Sequence, residues 1–209
     1  MIAPPERSPA RDAAITALLP LVPAEGWSLV ALRHALRQAG QDPLDAELLF
    51  PGGPADLVEA YIDLEDRQME QAMAAQDLQG LRLTERVRFA IALRLAAARP
   101  HKQAVRRALA LLALPRHARL SARTLARTVD SIWHAADDRS TDFSWYTKRV
   151  ILSAIYGATL LFWLRDQSDD DAATLSFLDR RLADHACFHR WQRRTATAIE
   201  RCLPGEAAA

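Results

Sequence analysis

Apolar positions along this chain return every three or four residues and seldom alternate, which is the spacing of amphipathic helices rather than strands. A first helix is predicted from Arg11 to Leu21, ended by Pro23 and the region of Gly26. Ser28 opens a second, running to Ala39 and stopped by Gly40. Asp42 before Pro43 makes a cap and first-turn pair for a short helix to Leu49. The stretch "PGGPADLVEA" breaks the chain, and Pro54 opens a long helix to about Ala75. Thr84 to Ala98 follows and is cut by Pro100, then His101 to Leu114, closed by Pro115. Leu120 to Ala136 places Leu125, Val129, Ile132 and Trp133 on one side. A polar interval bearing aromatics leads into an apolar helix ending near Leu164, and Asp169 to Asp171 start another that reaches His185. The expectation is an all-α domain of about nine helices, three short ones first and longer ones behind.

Half the residues are hydrophobic, enough for one well-buried core. Val150 to Leu164 spans fifteen residues, short of the roughly 20 that cross a bilayer. It reads as a helix buried against others or at a dimer interface. Net charge is +1, so no overall field recommends nucleic acid as a partner. The charge is unevenly spread. Gln41 to Glu85 holds eleven Asp/Glu against two Arg, whereas Arg94 to Arg149 holds twelve Lys/Arg against four Asp. Solvated helix faces are the plain expectation for such runs. Cys187 and Cys202 form no disulfide framework or zinc spacing, which suits a reduced, intracellular setting. The first residues, "MIAPPERSPAR", have no apolar segment expected of a secretory signal and are too short and acidic for a transit peptide.

Three short helices, a break and a long helix resemble the helix-turn-helix lobe of TetR-type regulators. In the place of a recognition helix stands "DPLDAELL", with Asp42, Asp45 and Glu47 and no base. Carboxylates beside a polyanion forfeit counterion release, so the lobe is expected to be structural and not to bind nucleic acid.

The segment Val129 to Tyr156, "VDSIWHAADDRSTDFSWYTKRVILSAIY", carries a denser signal. Asp130, Trp133, His134, Ala135, Asp137, Ser140, Thr141, Asp142, Phe143, Trp145, Tyr146, Thr147 and Arg149 stand as in a pattern of the Coq-nine family, accessory proteins of ubiquinone biosynthesis, which this chain resembles. The resemblance implies a TetR-like fold that has lost DNA binding. It implies an apolar cavity for isoprenoid, quinone or phospholipid, and a surface patch for the hydroxylase that acts on demethoxyubiquinone. By position that patch is Asp130, Asp142, Trp145 and Tyr146, with Ile132 where some relatives carry Met. Read from the residues alone, Trp145 and Tyr146 suit a partner surface because they join large area to a polar handle. Asp142 and Arg149 set register by charge. The competing reading makes Trp133 core, and Ser140 or Asp142 a helix cap.

A TetR-like back lobe encloses its ligand between long helices, and the expected lining is Phe89, Leu93, Leu109, Leu112, Leu125, Trp133, Ile155 and Phe162. The same letters also describe a dry core. Near the C-terminus, "FHRWQRRTATAIERCL" gathers Phe188, Trp191, Ile199 and Leu203 on one helical arc, with Arg190, Arg193, Arg194 and Arg201 on the other. That is the layout of a helix lying on an anionic membrane surface, or of a last helix packed on its own core. His185 and His189 share a spacing of four, as do Asp130 and His134. Neither pair has the companions of a metal or catalytic site.

The organisation expected is a degenerate helix-turn-helix-like lobe over 10–52, a ligand-binding and dimerisation lobe over 53–187, and a membrane-docking helix over 188–203. The expected function is a non-enzymatic, homodimeric accessory protein without cofactor, cytoplasmic and peripheral on the inner membrane face. It would present a greasy ligand to the demethoxyubiquinone hydroxylase. The alternative is a ligand-sensing regulator of the TetR type.

Overall fold

The computed structural model describes residues 3–137 and 144–184, with the backbone alone for 144–146. Its helices are α1 (Pro9–Leu18), α2 (Val22–Glu25), α3 (Leu29–Gln38), α4 (Asp45–Leu49), α5 (Pro54–Ala74), α6 (Leu83–Ala98), α7 (Lys102–Leu112), α8 (Ala118–Ala135) and α9 (Ser144–Trp163). A further helix, α10, is described over 172–184. Short 3₁₀ turns at Arg99–His101 and Pro115–His117 join α6 to α7 and α7 to α8. No strand occurs among the described residues.

Local chemistry fixes most boundaries. The Arg11 N–H donates to Ser8 Oγ at 3.2 Å, with Pro9 in the first turn of α1. The Ala31 N–H donates to Ser28 Oγ at 3.1 Å to start α3. Gly53, at φ 65°, makes the left-handed step that feeds Pro54 into α5. Two boundaries depart from expectation. The predicted Arg11–Leu21 helix stops at Leu18, because Pro20 has no N–H to donate and its ring crowds the preceding turn. The Leu44 N–H donates to Asp42 Oδ1 at 2.9 Å, so Asp42 closes a local turn and α4 begins only at Asp45.

The 21-residue α5 is the axis of the bundle, packed against α8, α6 and α1, while α9 lies on α8 and α6. A single buried cluster runs from Ile15 and Leu18 in α1 through Leu57 and Met73 in α5 to Ile132 in α8 and Trp163 in α9. Each such large side chain contributes about 1.5–3 kcal/mol by leaving water.

The acidic and basic runs are not simply solvated faces. Glu59 on α5 accepts from Arg123 Nη2 and Arg127 Nη2 on α8, both at 2.7 Å. Asp63 accepts from Arg7 and Arg67, and Arg67 also donates to Asp12. Asp66 accepts from Arg94 Nε at 2.8 Å and Thr128 Oγ1 at 2.9 Å. Glu59, Asp63, Glu65, Asp66, Arg94 and Arg127 are all buried. The expectation of solvent-facing charge is therefore corrected at these positions. The two runs interlock across the α5–α8 and α5–α6 seams, where desolvated charges require partners.

Candidate functional site

A cavity of about 240 Å³ lies between α5, α6, α7, α8 and α9. Leu109 and Leu112 of α7, Leu125 of α8 and Leu160 of α9 give it apolar walls. Leu161 also lines it while 61% exposed, so the wall reaches the molecular surface beside α9. A Cβ placed on Gly157, another lining residue, meets nothing within 4 Å. Glycine there keeps space open at the cost of helix propensity.

One part of the wall is polar. Arg94 lies there, 7% exposed, held through Nε by Asp66, which Thr128 braces. The Arg94 guanidinium carbon sits 5.7 Å from the Tyr156 ring centroid. One helical turn apart on α5, the buried Tyr61 hydroxyl and Glu65 carboxyl interact with each other, short of strict hydrogen-bond geometry, and neither Tyr61 Oη nor Glu65 Oε2 meets another partner among the described residues. Burial raises the Tyr61 and Tyr156 phenols above their ordinary value. Burial likewise raises the Glu65 carboxyl, against the opposing pull of Arg94. Tyr61 also meets the N-terminal lobe: its ring centroid is 5.1 Å from that of Trp27, whose Nε1 donates to the Ala104 carbonyl at 3.0 Å.

Of the expected lining residues, Leu109, Leu112 and Leu125 face this cavity. Phe89 and Leu93 line a different hollow, with Leu95, Arg99 and Leu175. Ile155 and Phe162 lie on the side of α9 opposite Tyr156, Gly157, Leu160 and Leu161, as 100° per residue requires. Ile155 packs on the core, and Phe162 stacks on Phe177 with centroids 4.7 Å apart. Trp133 is partly buried against the core, and Lys148 Nζ stands 5.9 Å from its ring centroid. These five do not line the cavity and are corrected as lining residues. Sequence reasoning missed Tyr61, Arg94, Thr124, Thr128, Tyr156 and Gly157. A lone arginine in "FAIALRLAAA" and a glycine inside an apolar helix were the visible signals.

In the aromatic segment, Asp130 on α8 forms an ion pair with Arg149 on α9, tying the two helices across the interval between them. Asp130 thus pairs with Arg149, while His134 lines a surface groove with Arg7 and Asp137. Ile132 is fully buried, so the expected apolar surface contact is corrected to a core position beneath the segment. Trp145 and Tyr146 fall in the first turn of α9, their side chains outside what is described. Asp142 lies outside the described residues, as do His185, Cys187, Phe188, His189, Arg190, Trp191, Arg194, Ile199, Cys202 and Leu203. In the N-terminal lobe, Glu47 of α4 pairs with Arg33 of α3.

The family model described as COQ9 matches residues 118–189. Ubiquinone biosynthesis protein COQ9, mitochondrial, of Homo sapiens is 33% identical over 176 residues, covering 81% of this chain and 55% of that protein. Ubiquinone biosynthesis protein COQ9-B, mitochondrial, of Xenopus laevis is 31% identical over 198 residues, covering 91% of this chain and 67% of that protein. The chain thus spans little more than half the length of its human relative. Among solved structures, a TetR transcriptional regulator from Nitrosomonas europaea ATCC 19718 superposes with a TM-score of 0.70 at 23% identity, covering 86% of this chain and 99% of that one. The fold is the TetR-like helical bundle.

Proposed function

Because this chain belongs to the COQ9 family, we propose that it serves ubiquinone biosynthesis as an accessory protein that holds an isoprenoid, quinone or phospholipid and presents it to the demethoxyubiquinone hydroxylase at a membrane surface. The observation that carries this reading is the apolar cavity of about 240 Å³ among α5–α9. A cavity of about 150 Å³ suffices to bind benzene, so this one admits a ring with a short piece of tail. Each buried CH₂ contributes about 0.8 kcal/mol, and holding needs no catalytic group. The patch around Asp130, Trp145, Tyr146 and Arg149 is the docking surface for the hydroxylase. The basic and apolar arcs of 188–203 rest on the bilayer. No helix among the described residues is long and apolar enough to cross a membrane.

Gly157→Leu tests the cavity without breaking the fold, because a side chain there enters open space. The variant should keep its helical circular dichroism and lose most co-purified lipid by extraction and mass spectrometry. Lipid content equal to the parent would sink the reading. A ligand-sensing regulator is the second reading, favoured by the shared TetR fold. Salt-dependent binding to duplex DNA would support it, against the acidic Asp45 and Glu47 of α4.

A further inference from the structure

Leu95 lines two hollows at once. One is the cavity of about 240 Å³ among α5–α9. The other, of about 280 Å³, lies between α6 and the start of α10, with Phe89, Leu93 and Leu175 in its wall. The rotation of α6 explains the double position. At 100° per residue, Arg94 and Ala98 turn to one side of Leu95 and line the first hollow, while Ala92, Ala96 and Arg99 turn to the other and line the second. Leu95 stands on the boundary, 2% exposed. The second hollow also carries a charged rim. Arg99 Nη1 donates to Asp170 Oδ1 at 2.9 Å, and Arg99 Nε donates to Asp171 Oδ2 at 3.1 Å. Asp170 and Asp171 both stand at φ 54°, a left-handed conformation unusual in two successive residues other than glycine. A hydrocarbon entering over that rim would strip ion-paired groups of water. From the first cavity it meets the leucine side chain instead.

Resting on the cavity reading above, we infer that Leu95 is the partition that sets how much of a ligand's tail this protein buries. A chamber of about 240 Å³ takes a ring and a short piece of tail. A longer tail has two ways to go. It runs out past the exposed Leu161 and returns to water, or it runs inward past Leu95. In the parent protein Leu95 closes the inner way, so tail beyond what the first cavity holds adds no buried surface. Removing the Leu95 side chain joins the two hollows, of about 240 and 280 Å³, and lets the tail continue along Phe89 and Leu93. Leu95 is therefore a specificity-determining residue for tail length, and the hollow between α6 and α10 is a second compartment shut off by one side chain.

The test is a tail-length series on the full chain. Ubiquinones carrying one, two and four isoprene units are titrated, and their dissociation constants are read from quenching of tryptophan fluorescence. In the parent, the two-unit and four-unit probes should bind within about twofold of each other. Each further CH₂ buried raises affinity about fourfold. Leu95→Ala should therefore bind the four-unit probe at least about tenfold tighter than the two-unit probe, and leave the one-unit constant unchanged. Leu95→Met keeps the core volume while its unbranched thioether swings aside. It should gain severalfold in the same direction, and it decides the matter if circular dichroism shows Leu95→Ala unfolded. Ala92→Leu fills the second compartment. Alone it should change no constant, and combined with Leu95→Ala or Leu95→Met it should cancel the gain. A parent that already favours the four-unit probe tenfold, a folded Leu95 variant with no gain, or a gain that survives Ala92→Leu overturns the partition and leaves the cavity standing. Failure of all three probes to bind the parent overturns the cavity reading and this inference with it.

Discussion

Glu65 is a carboxyl held where its charge is unwelcome. Burial raises its folded-state titration above the ordinary carboxylate range, and Arg94 only partly offsets this. A folded state that holds its proton more tightly than the unfolded chain loses stability as pH rises from the ordinary carboxylate value toward the raised one. Glu65→Gln should therefore raise the urea midpoint at about pH 7.5 and change it little at about pH 4, near the ordinary carboxylate value. An equal shift at both would show that Glu65 is not raised. Glu59 makes the opposite case. Removing it strands Arg127, which is buried and otherwise donates to the Ala3 carbonyl. Glu59→Ala should cost about 3–5 kcal/mol in denaturant unfolding. Arg123→Ala removes the half-exposed partner and should cost under about 1 kcal/mol. Equal losses would contradict the burial pattern. Neither partnership was legible in the sequence, since Glu59 and Arg127 are 68 residues apart. A charge run looks the same whether water or another helix faces it.

At the scale of elements the sequence spoke more clearly. Ser28, Pro54 and Pro115 mark helix boundaries because capping and proline geometry are local. Pro20, ahead of Pro23 and Gly26, ends α1, because a proline acts on the turn just before it. The cavity was harder to read, because leucines that line a hollow and leucines that fill a core satisfy the same period. Only the turn of each helix, fixed by its neighbours, separates Leu109 and Leu112 from Phe89 and Leu93. The ion pair between Asp130 and Arg149 fixes α8 against the start of α9, the turn that carries Trp145 and Tyr146. For the proposed hydroxylase surface, Trp145→Lys should abolish pull-down of the hydroxylase and leave helical circular dichroism intact. Undiminished capture would move the docking surface elsewhere.

For the molecule as a whole, the match to a TetR regulator fixes architecture and says nothing of ligand. The proposed membrane contact rests on the sequence pattern of 188–203, which lies outside the described residues. Each base near an anionic surface contributes about 1 kcal/mol, so binding of the full chain to anionic vesicles should weaken as salt rises. Deletion of 188–209 should remove it, and vesicle co-sedimentation that survives the deletion would refute the assignment. Trp27 adds a different constraint. Its indole N–H satisfies a carbonyl in α7, and its ring leans on Tyr61. The front of the protein is thus mortised into the back. A shortened protein starting at Pro54 would lose one plank of that chamber, with the indole bond that joins it to α7, so the first fifty residues are not a detachable relic.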